Sequence, residues 1–311
     1  AGYVSGSGAG GLTPSVVPLV SVSQGELVAL ESRFAGVSDV WPLTPLQSGF
    51  LFHALYADGE ADAYIPQIVL ELEGVVDAGR LRSAAQAVLD RYANLRTAFV
   101  AVGDGSSVQV VLDGVQVPWT ELDVTDLPEA ERVSRFEALL AQDKATAFDL
   151  ASPPLQRYQL VRVGESAYRL VVTTHHLLID GWSMPLLLKD LLTLYAVRSQ
   201  DGVLPRVRPY RSYLAWLAEQ DQGEAESAWV RALAGVEEPS LLAGDRAGAG
   251  DGATVTVVKV FDEAFVASLS ALTRRLGVTV NTAVQSAWAL VLGRMLGRDD
   301  VVFGATVSGR P

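Results

Sequence analysis

Two adjacent histidines are the side chains best suited to chemistry in this sequence. The chain has three histidines, and two of them, His175 and His176, are neighbours that precede Asp180 and Gly181. An imidazole titrates near neutral pH and can therefore hold or transfer a proton under physiological conditions. Side chains alternate along a strand, so one imidazole can face a cleft while the other packs behind it. We expect Asp180 to stabilise the turn, and Gly181 to permit close backbone approach or to offer its amide to an oxyanion.

Other interpretations of the histidine pair compete with a catalytic one. Two histidines at the end of a buried strand also commonly make ordinary hydrogen bonds within a core. A zinc site is disfavoured because the chain has no cysteine and His53 alone would have to complete a histidine cluster. The lack of cysteine also excludes disulfides and a cysteine nucleophile. We expect no metal site.

Composition narrows the class of protein. The 311 residues allow one large domain or two smaller ones, and a hydrophobic content of 49% is ample for a core. The net charge of -12 argues against nucleic-acid binding, which needs a basic face. No apolar run approaches the roughly 20 residues of a membrane span. We therefore expect a cytoplasmic protein that binds neither nucleic acid nor membrane.

The elements around the histidines alternate between strand and helix periods. Residues 168–174 form a β-rich run that enters the histidine pair, and residues 182–199 have the apolar density of a buried helix. Further helices are predicted at 23–34, 45–56, 77–92, 128–148, 210–220, 224–234, 262–276 and 282–296, and further strands at 65–72, 95–102, 107–112, 155–163, 254–261 and 301–307. Helices and strands in this order indicate a sheet covered by helices. Residues 1–22 and 235–253, rich in glycine, are predicted to be linkers.

Five ordered segments resemble one protein family. The string HHLLIDGWS at 175–183 is similar to the core motif of the condensation domains of non-ribosomal peptide synthetases. The segments PLTPLQSGFLFH at 42–53, RYANLRTAF at 91–99, YRSYLAWL at 210–217 and VVFGATVSGRP at 301–311 resemble four further motifs of that family, in the same order. The resemblance covers the chain from about residue 40 to its last residue.

The resemblance implies an α+β fold like that of chloramphenicol acetyltransferase, with helices packed on a mixed sheet. It implies an N-terminal lobe at 23–208 with the active-site loop, and part of a second, similar lobe at 209–311. The family continues for roughly another third of a domain beyond the matched segments. We therefore expect a C-terminally incomplete domain with weak or no activity by itself.

The same resemblance implies the chemistry and the site. The family joins a donor acyl thioester to the amine of an acceptor aminoacyl thioester, each carried by the phosphopantetheine arm of a peptidyl carrier protein, and the domain itself binds no cofactor. His176 corresponds to the family's second histidine, which either takes a proton from the attacking amine or mainly orients that amine; we favour positioning combined with proton transfer. His175 corresponds to a support of the loop. Asp180 corresponds to an aspartate that pairs with the arginine at position 96. Trp182 is expected to pack against the loop. Ser183, Ser308, Gln47 and His53 are candidate tunnel residues, although packing or capping is the favoured role for the last two.

Finer features point to a subclass and leave alternatives open. The motifs at 42–53 and 175–185 resemble domains that accept a D-configured donor and an L-acceptor. Residues 12–21 resemble the linker that follows an epimerisation domain. We therefore expect an upstream epimerisation domain and a downstream adenylation domain. The alternatives are that the chain is itself an epimerisation domain, a non-catalytic recruitment platform of the same fold, or a free-standing acyltransferase that uses coenzyme A.

Overall fold

The computed structural model describes residues 11–56, 64–103, 105–197, 204–242 and 257–307. The chain divides into two compact units, one over Ala1–Gln220 and one over Asp221–Pro311. The histidine loop lies in the first unit, which contains two β-sheets and the helices that cover them.

A three-stranded antiparallel sheet forms one half of the first unit. Its strands are β1 (Val37–Pro42), β3 (Thr97–Ala101) and β4 (Ser107–Leu112), in the order β1-β4-β3. Helix α1 (Gln24–Arg33) begins with a capping box, in which the Ser23 hydroxyl accepts from the Glu26 amide and the Glu26 carboxylate accepts from the Ser23 amide. Its buried Leu27 and Leu30 pack in one hydrophobic cluster with Val40 of β1.

A four-stranded mixed sheet forms the other half. Its strands are β2 (Gln67–Glu73), β5 (Trp119–Asp123), β6 (Gln156–Arg162) and β7 (Ala167–Thr174), in the order β2-β7-β6-β5, with β5 and β6 parallel. Helices α3 (Ala78–Arg91) and α5 (Met184–Ala196) pack on one face, and their leucines share a core with β6 and β7. Helix α4 (Glu129–Ala145) packs on the opposite face.

Helix α2 (Pro45–Tyr56) and helix α6 (Tyr210–Ala218) complete the first unit. Leu214 of α6 is buried against Trp41 of β1, and Arg211 forms an ion pair with Asp39 at 3.1 Å. The structure therefore divides the chain after Gln220 and not after residue 208, because α6 is packed on the first sheet.

Residues 11–22 are not the linker that glycine and proline content predicts. Pro14–Val16 form a 3₁₀ turn, and Val17 and Val22 are buried in the cluster beneath α1. The Leu12 amide donates to Glu31 at 2.7 Å, which ties this segment to α1. Apolar side chains at the right spacing cover a sheet face here despite the turn-forming composition.

The second unit contains α7 (Gln222–Ala232), α8 (Glu263–Leu276) and α9 (Val280–Leu296). The two strands predicted here are not observed: residues 257–261 and 301–307 belong to no helix or paired strand of the described part, and residues 254–256 lie outside it. A strand needs a neighbour to accept and donate its backbone hydrogen bonds, and an alternating pattern by itself does not supply one. Of the predicted linker 235–253, residues 243–253 also lie outside the described part.

Among the described helices, none is long and apolar enough to span a bilayer by itself. Helices α8 and α9 together have the length and composition of a span, but they are bent by 96° at their junction.

Candidate active site

Strand β7 delivers the histidine pair to a loop whose backbone is anchored on both sides. The His175 amide donates to the Leu155 carbonyl at 2.9 Å, and the His176 amide donates to the Tyr64 carbonyl at 2.9 Å. The loop 175–179 therefore starts at the fixed end of strand β7. The sequence predicts the histidine pair at such a strand end.

His175 lies fully buried behind the loop. Its Nδ1 accepts a hydrogen bond from the Leu177 amide at 3.0 Å, so Nδ1 carries no proton and the neutral ring is protonated on Nε2. The edge of the Phe148 ring faces the imidazole with a centroid separation of 6.4 Å. These contacts fit the supporting role predicted for His175.

His176 is partly exposed and its ring is oriented by two contacts. Its Nδ1 lies 3.1 Å from the Ile179 carbonyl oxygen. A carbonyl oxygen can only accept, so Nδ1 carries the proton and the neutral ring keeps its lone pair on Nε2. Phe50 of α2 stacks on the ring with centroids 6.0 Å apart and an interplanar angle of 28°. This tautomer can accept a proton at Nε2.

The three aliphatic residues between His176 and Asp180 anchor the loop in the core. Leu177, Leu178 and Ile179 are all buried, and they join the cluster formed by α3, α5 and the four-stranded sheet. Burial of each such side chain stabilises the fold by about 1.5–3 kcal/mol. The histidine pair and Asp180 therefore flank a buried hydrophobic segment, one on each side.

Asp180 stabilises the turn into α5. Its Oδ1 accepts from the Ser183 amide at 2.7 Å, and its carbonyl accepts from the amides of Ser183 and Met184. This is the way that an aspartate satisfies the free amides at a helix start, where the helix dipole also favours negative charge. Ser183 is thus part of the helix start. Gly181 has an ordinary φ, and a Cβ added to it would meet no atom within 4 Å, so the fold itself does not require glycine there.

The predicted pairing of Arg96 with Asp180 is replaced by another ion pair. Arg96 Nη1 lies 2.6 Å from Asp113 Oδ1, and the same guanidinium donates to the carbonyls of Leu89, Asp90 and Leu112. All three guanidinium nitrogens are therefore engaged at the junction of α3 and β4. Arg96 therefore holds this junction together.

Gln47 contacts the histidine loop itself. It is 7% exposed, and its Nε2 donates to the Leu177 carbonyl at 2.8 Å. Its Oε1 accepts from the Thr44 amide at 3.0 Å, which caps α2. The same side chain therefore contacts both the start of α2 and the loop backbone, and its role as a tunnel residue stays a prediction.

Two contacts with the loop region are not predicted by the sequence. Buried Gln109 of β4 exchanges hydrogen bonds with Gln47, and Asn94 donates to the Leu178 carbonyl at 3.0 Å. Asn94 lies within the motif at 91–99, in which the family resemblance assigns a role only to the arginine. Gln109 carried one weak signal, a lone glutamine in an otherwise apolar run.

The remaining predicted site residues have looser surroundings. His53 is exposed on α2, with its ring 5.9 Å from that of Tyr64. Trp182 is 45% exposed, so the predicted packing against the loop is incomplete. Ser308 lies outside the described residues. Within the described part of the chain, no three His, Asp or Glu side chains gather as a metal site requires.

A buried ion pair lies beneath the histidine loop. Asp143 of α4 accepts from Arg157 Nε at 2.6 Å and also from Gln67 and Gln159, each at 2.8 Å. The Arg157 guanidinium lies 4.2 Å from the centroid of Phe148, the ring that meets His175. This polar network fixes one face of the sheet that carries the loop.

Three tyrosines of the first unit have a raised pKa. Burial raises the pKa of Tyr158 and of Tyr210, and the nearby Tyr213 and Asp180 add to the effect at Tyr210. Burial and the hydrogen bond with Asp190 raise the pKa of Tyr92. These hydroxyls therefore stay protonated near neutral pH and add no charge to the site.

The fold and the loop together define a class. A two-sheet α+β lobe covered by helices carries the loop His-His-x-x-x-Asp-Gly. In this loop His176 presents the lone pair of its Nε2, and the imidazole of His175 is buried. This is the arrangement of the chloramphenicol acetyltransferase-like fold.

Comparison with known proteins identifies the family. The condensation domain family model matches residues 37–311. Two proteins of the linear gramicidin synthase of Brevibacillus parabrevis are 38% and 37% identical, each over 97% of this chain, and bacitracin synthase 1 of Bacillus licheniformis is 31% identical over 96% of it. The chain belongs to the condensation domain family of non-ribosomal peptide synthetases. It spans only 4% to 6% of the length of these relatives.

Solved structures agree on the fold. The first condensation domain of the calcium-dependent antibiotic synthetase, in complex with a substrate analogue, superposes with a TM-score of 0.67 at 21% identity, over 86% of this chain and 66% of that one. The SgcC5 protein from Streptomyces globisporus gives a TM-score of 0.64 at 24% identity, over 84% of this chain and 61% of that one. At these identities the likeness confirms the predicted fold class.

Proposed function

We propose that this chain forms a peptide bond between a donor acyl thioester and the amine of an acceptor aminoacyl thioester, both held on carrier proteins. One observation carries the proposal. His176 is held with Nδ1 donating to the Ile179 carbonyl, so its Nε2 lone pair is available to an incoming amine. Membership of the condensation domain family supports this assignment.

The proposed reaction balances without a cofactor on the domain. The acceptor amine, once neutral, attacks the donor thioester carbonyl and forms a C–N bond. The tetrahedral intermediate collapses, the C–S bond breaks, and the donor arm leaves as a thiol that takes up the proton released by the amine. An α-amino group titrates near ~8, so about a tenth is already neutral at pH 7.

We assign His176 a positioning role combined with proton transfer. Holding both reactants in line is the larger contribution, since effective molarities reach ~10⁵–10⁸ M in well-oriented intramolecular reactions. Proton transfer by a positioned side chain adds typically ~10²–10⁴-fold. The open space at Gly181 supports a further role for its amide in binding the oxyanion of the intermediate.

The proposed partners are an upstream donor carrier protein and a downstream acceptor carrier protein, which bring the substrates on phosphopantetheine arms. We further propose that the chain works within a larger cytosolic synthetase, between an epimerisation domain and an adenylation domain. The donor is then D-configured and the acceptor L-configured. The motifs at 42–53 and 175–185 and the segment 12–21 support this subclass.

The first test supplies the synthetase that contains this chain with a loaded donor carrier and a loaded acceptor carrier, and identifies the products by mass spectrometry. We expect a dipeptidyl thioester on the acceptor carrier and a large loss of its formation with His176→Ala. Asp123→Ala is the control, because Asp123 is a half-exposed residue of β5 outside the histidine loop. Full condensation by the His176→Ala protein would refute the assigned role. An altered stereocentre on one carrier would indicate epimerisation instead, and no change on either carrier would indicate a recruitment platform.

The stereochemical proposal has its own test. L- and D-configured donor thioesters compete in equal amounts for one acceptor, and the diastereomeric products are separated by chromatography. We expect the D-donor product to predominate. Preference for the L-donor would refute the subclass and leave the condensation reaction itself unaffected.

A further inference from the structure

We propose that Gln47 and Asn94 are positioning residues that set the orientation of His176 by holding two consecutive carbonyl groups of its loop. The catalytic role of His176 rests on the proposed function. The hydrogen bonds that hold its loop, and the test of their effect, do not depend on that function. Gln47 comes from α2 and Asn94 from the 3₁₀ turn Ala93–Arg96, so two separate elements converge on one loop.

The two hydrogen bonds are alike in kind. Gln47 Nε2 donates to the Leu177 carbonyl at 2.8 Å, and Asn94 Nδ2 donates to the Leu178 carbonyl at 3.0 Å. Leu177 and Leu178 are 2% and 6% exposed. Carbonyl groups in such surroundings need protein donors, because an unsatisfied buried polar group is costly.

Gln47 is itself held in a fixed orientation. Its Oε1 accepts from the Thr44 amide at 3.0 Å, which leaves Nε2 as the group that faces the loop. Behind it, Gln109 is fully buried, donates to Gln47 Oε1 at 3.1 Å and donates to the Pro42 carbonyl at 2.7 Å. The orientation of the Gln47 amide therefore depends on the three-stranded sheet, which links that sheet to the loop.

The effect on His176 follows from the sequence of contacts. The two clamped carbonyls belong to the residues just before Ile179, whose own carbonyl accepts from His176 Nδ1. The Leu177 amide donates to His175 Nδ1, and the Leu178 amide donates to the His175 carbonyl. With both carbonyls released, the peptide groups can rotate, and the Ile179 carbonyl no longer selects the tautomer that exposes the Nε2 lone pair.

The test uses isosteric substitutions that replace the amide donor by a carboxylate oxygen. Gln47→Glu and Asn94→Asp keep the shape of each side chain but place a carboxylate oxygen against the carbonyl. The matched control is Gln86→Glu, because Gln86 Nε2 donates to the Val115 carbonyl at 2.9 Å in a similar way, between α3 and the loop that precedes β5. Two readouts are made on the full chain labelled with ¹⁵N: the tautomer of each neutral histidine from ¹H–¹⁵N long-range spectra, and amide hydrogen exchange.

In the unsubstituted chain we expect neutral His176 to be protonated mainly on Nδ1. Each loop substitution should lower that fraction and speed exchange of the Leu178 amide by about tenfold or more, since the loss of a buried hydrogen bond favours local opening. Exchange of the β6 and β7 amides reports global stability, and Gln86→Glu should leave the His176 tautomer unchanged. If Gln47→Glu does not fold, Asn94→Asp tests the same proposal at a partly exposed position.

An unchanged His176 tautomer in folded Asn94→Asp protein would overturn the proposal. An equal shift in Gln86→Glu would also overturn it, because the effect would then reflect general loosening. Neither readout needs turnover. A synthetase that makes no dipeptide while its His176 responds as expected would refute the proposed function and leave the loop clamp intact.

Discussion

Removal of the Asp143 carboxylate should cost the first unit a large part of its stability. This side chain is 3% exposed and forms an ion pair with Arg157 at 2.6 Å. It also accepts from the amides of Gln67 and Gln159 and from the Thr173 hydroxyl. The Asp143→Ala substitution therefore removes the carboxylate that pairs with the partly buried Arg157 guanidinium and that accepts from three further donors.

The size of the expected loss of stability follows from the burial of Asp143. Breaking a buried pair by removing one partner costs about 3–5 kcal/mol, because the remaining charge stays desolvated. Arg157 keeps two carbonyl partners, those of Asp143 and Thr146, and its contact with the Phe148 ring, so we expect a loss near the lower end of that range. A domain is stable by only about 5–15 kcal/mol, and such a loss should be plain in equilibrium unfolding.

The assay is urea unfolding followed by circular dichroism and tryptophan fluorescence. The matched control is Asp123→Ala on the same sheet, because Asp123 pairs with Arg162 of β6 at 3.3 Å but is half exposed. Surface ion pairs contribute little to stability, so this control should leave the midpoint almost unchanged. A midpoint for Asp143→Ala that moves no further than the control would refute the argument from burial.

Three further outcomes are expected from single changes. Tyr158→Phe should raise the free energy of unfolding by about 1 kcal/mol in urea titrations, because the buried Tyr158 hydroxyl has no hydrogen-bond partner among the described residues; a lower midpoint would contradict this. Asp180→Ala should lower the free energy of unfolding by about 0.5–2 kcal/mol, because the Ser183 amide loses its acceptor. An unchanged free energy of unfolding would show that Asp180 does not stabilise the start of α5. The raised pKa of Tyr210 means that its stabilising contribution is present below the ordinary value of 10.0 and is lost as pH rises above it. Tyr210→Phe should therefore flatten the fall of the unfolding midpoint in alkaline buffers, and an equally steep fall would contradict the pKa argument.

Most of the first unit could be predicted from the sequence because its patterns are local. Capping signals locate α1 and α2, and the β-rich run that enters His175 is strand β7. The sequence does not predict strands β1 and β5. β1 ends in Trp41 and Pro42 and lacks a regular alternation, and β5 alternates only weakly. Their strand character comes from pairing with β4 and β6, which are distant in sequence and leave no local pattern.

The site was predictable as a motif but not as a set of contacts. The loop from His175 to Asp180 appears as one string, and its roles as strand end and helix start follow from that string. The ion-pair partner of Arg96 could not be predicted from the sequence, because a guanidinium beside a helix end has several carbonyls and carboxylates within reach. Arg96 lies in the 3₁₀ turn Ala93–Arg96, which contacts both α3 and β4, and this tertiary placement decides for Asp113.

The three-stranded sheet contributes to the site although no histidine lies on it. Gln109 of β4 holds Gln47, Gln47 holds the Leu177 carbonyl, and the loop ends at the contact between Ile179 and His176. The first two steps join groups far apart in sequence through buried hydrogen bonds, and such bonds are costly to leave unmade. The orientation of His176 is therefore a property of both sheets, so substitutions on β4 should alter the imidazole without contacting any substrate.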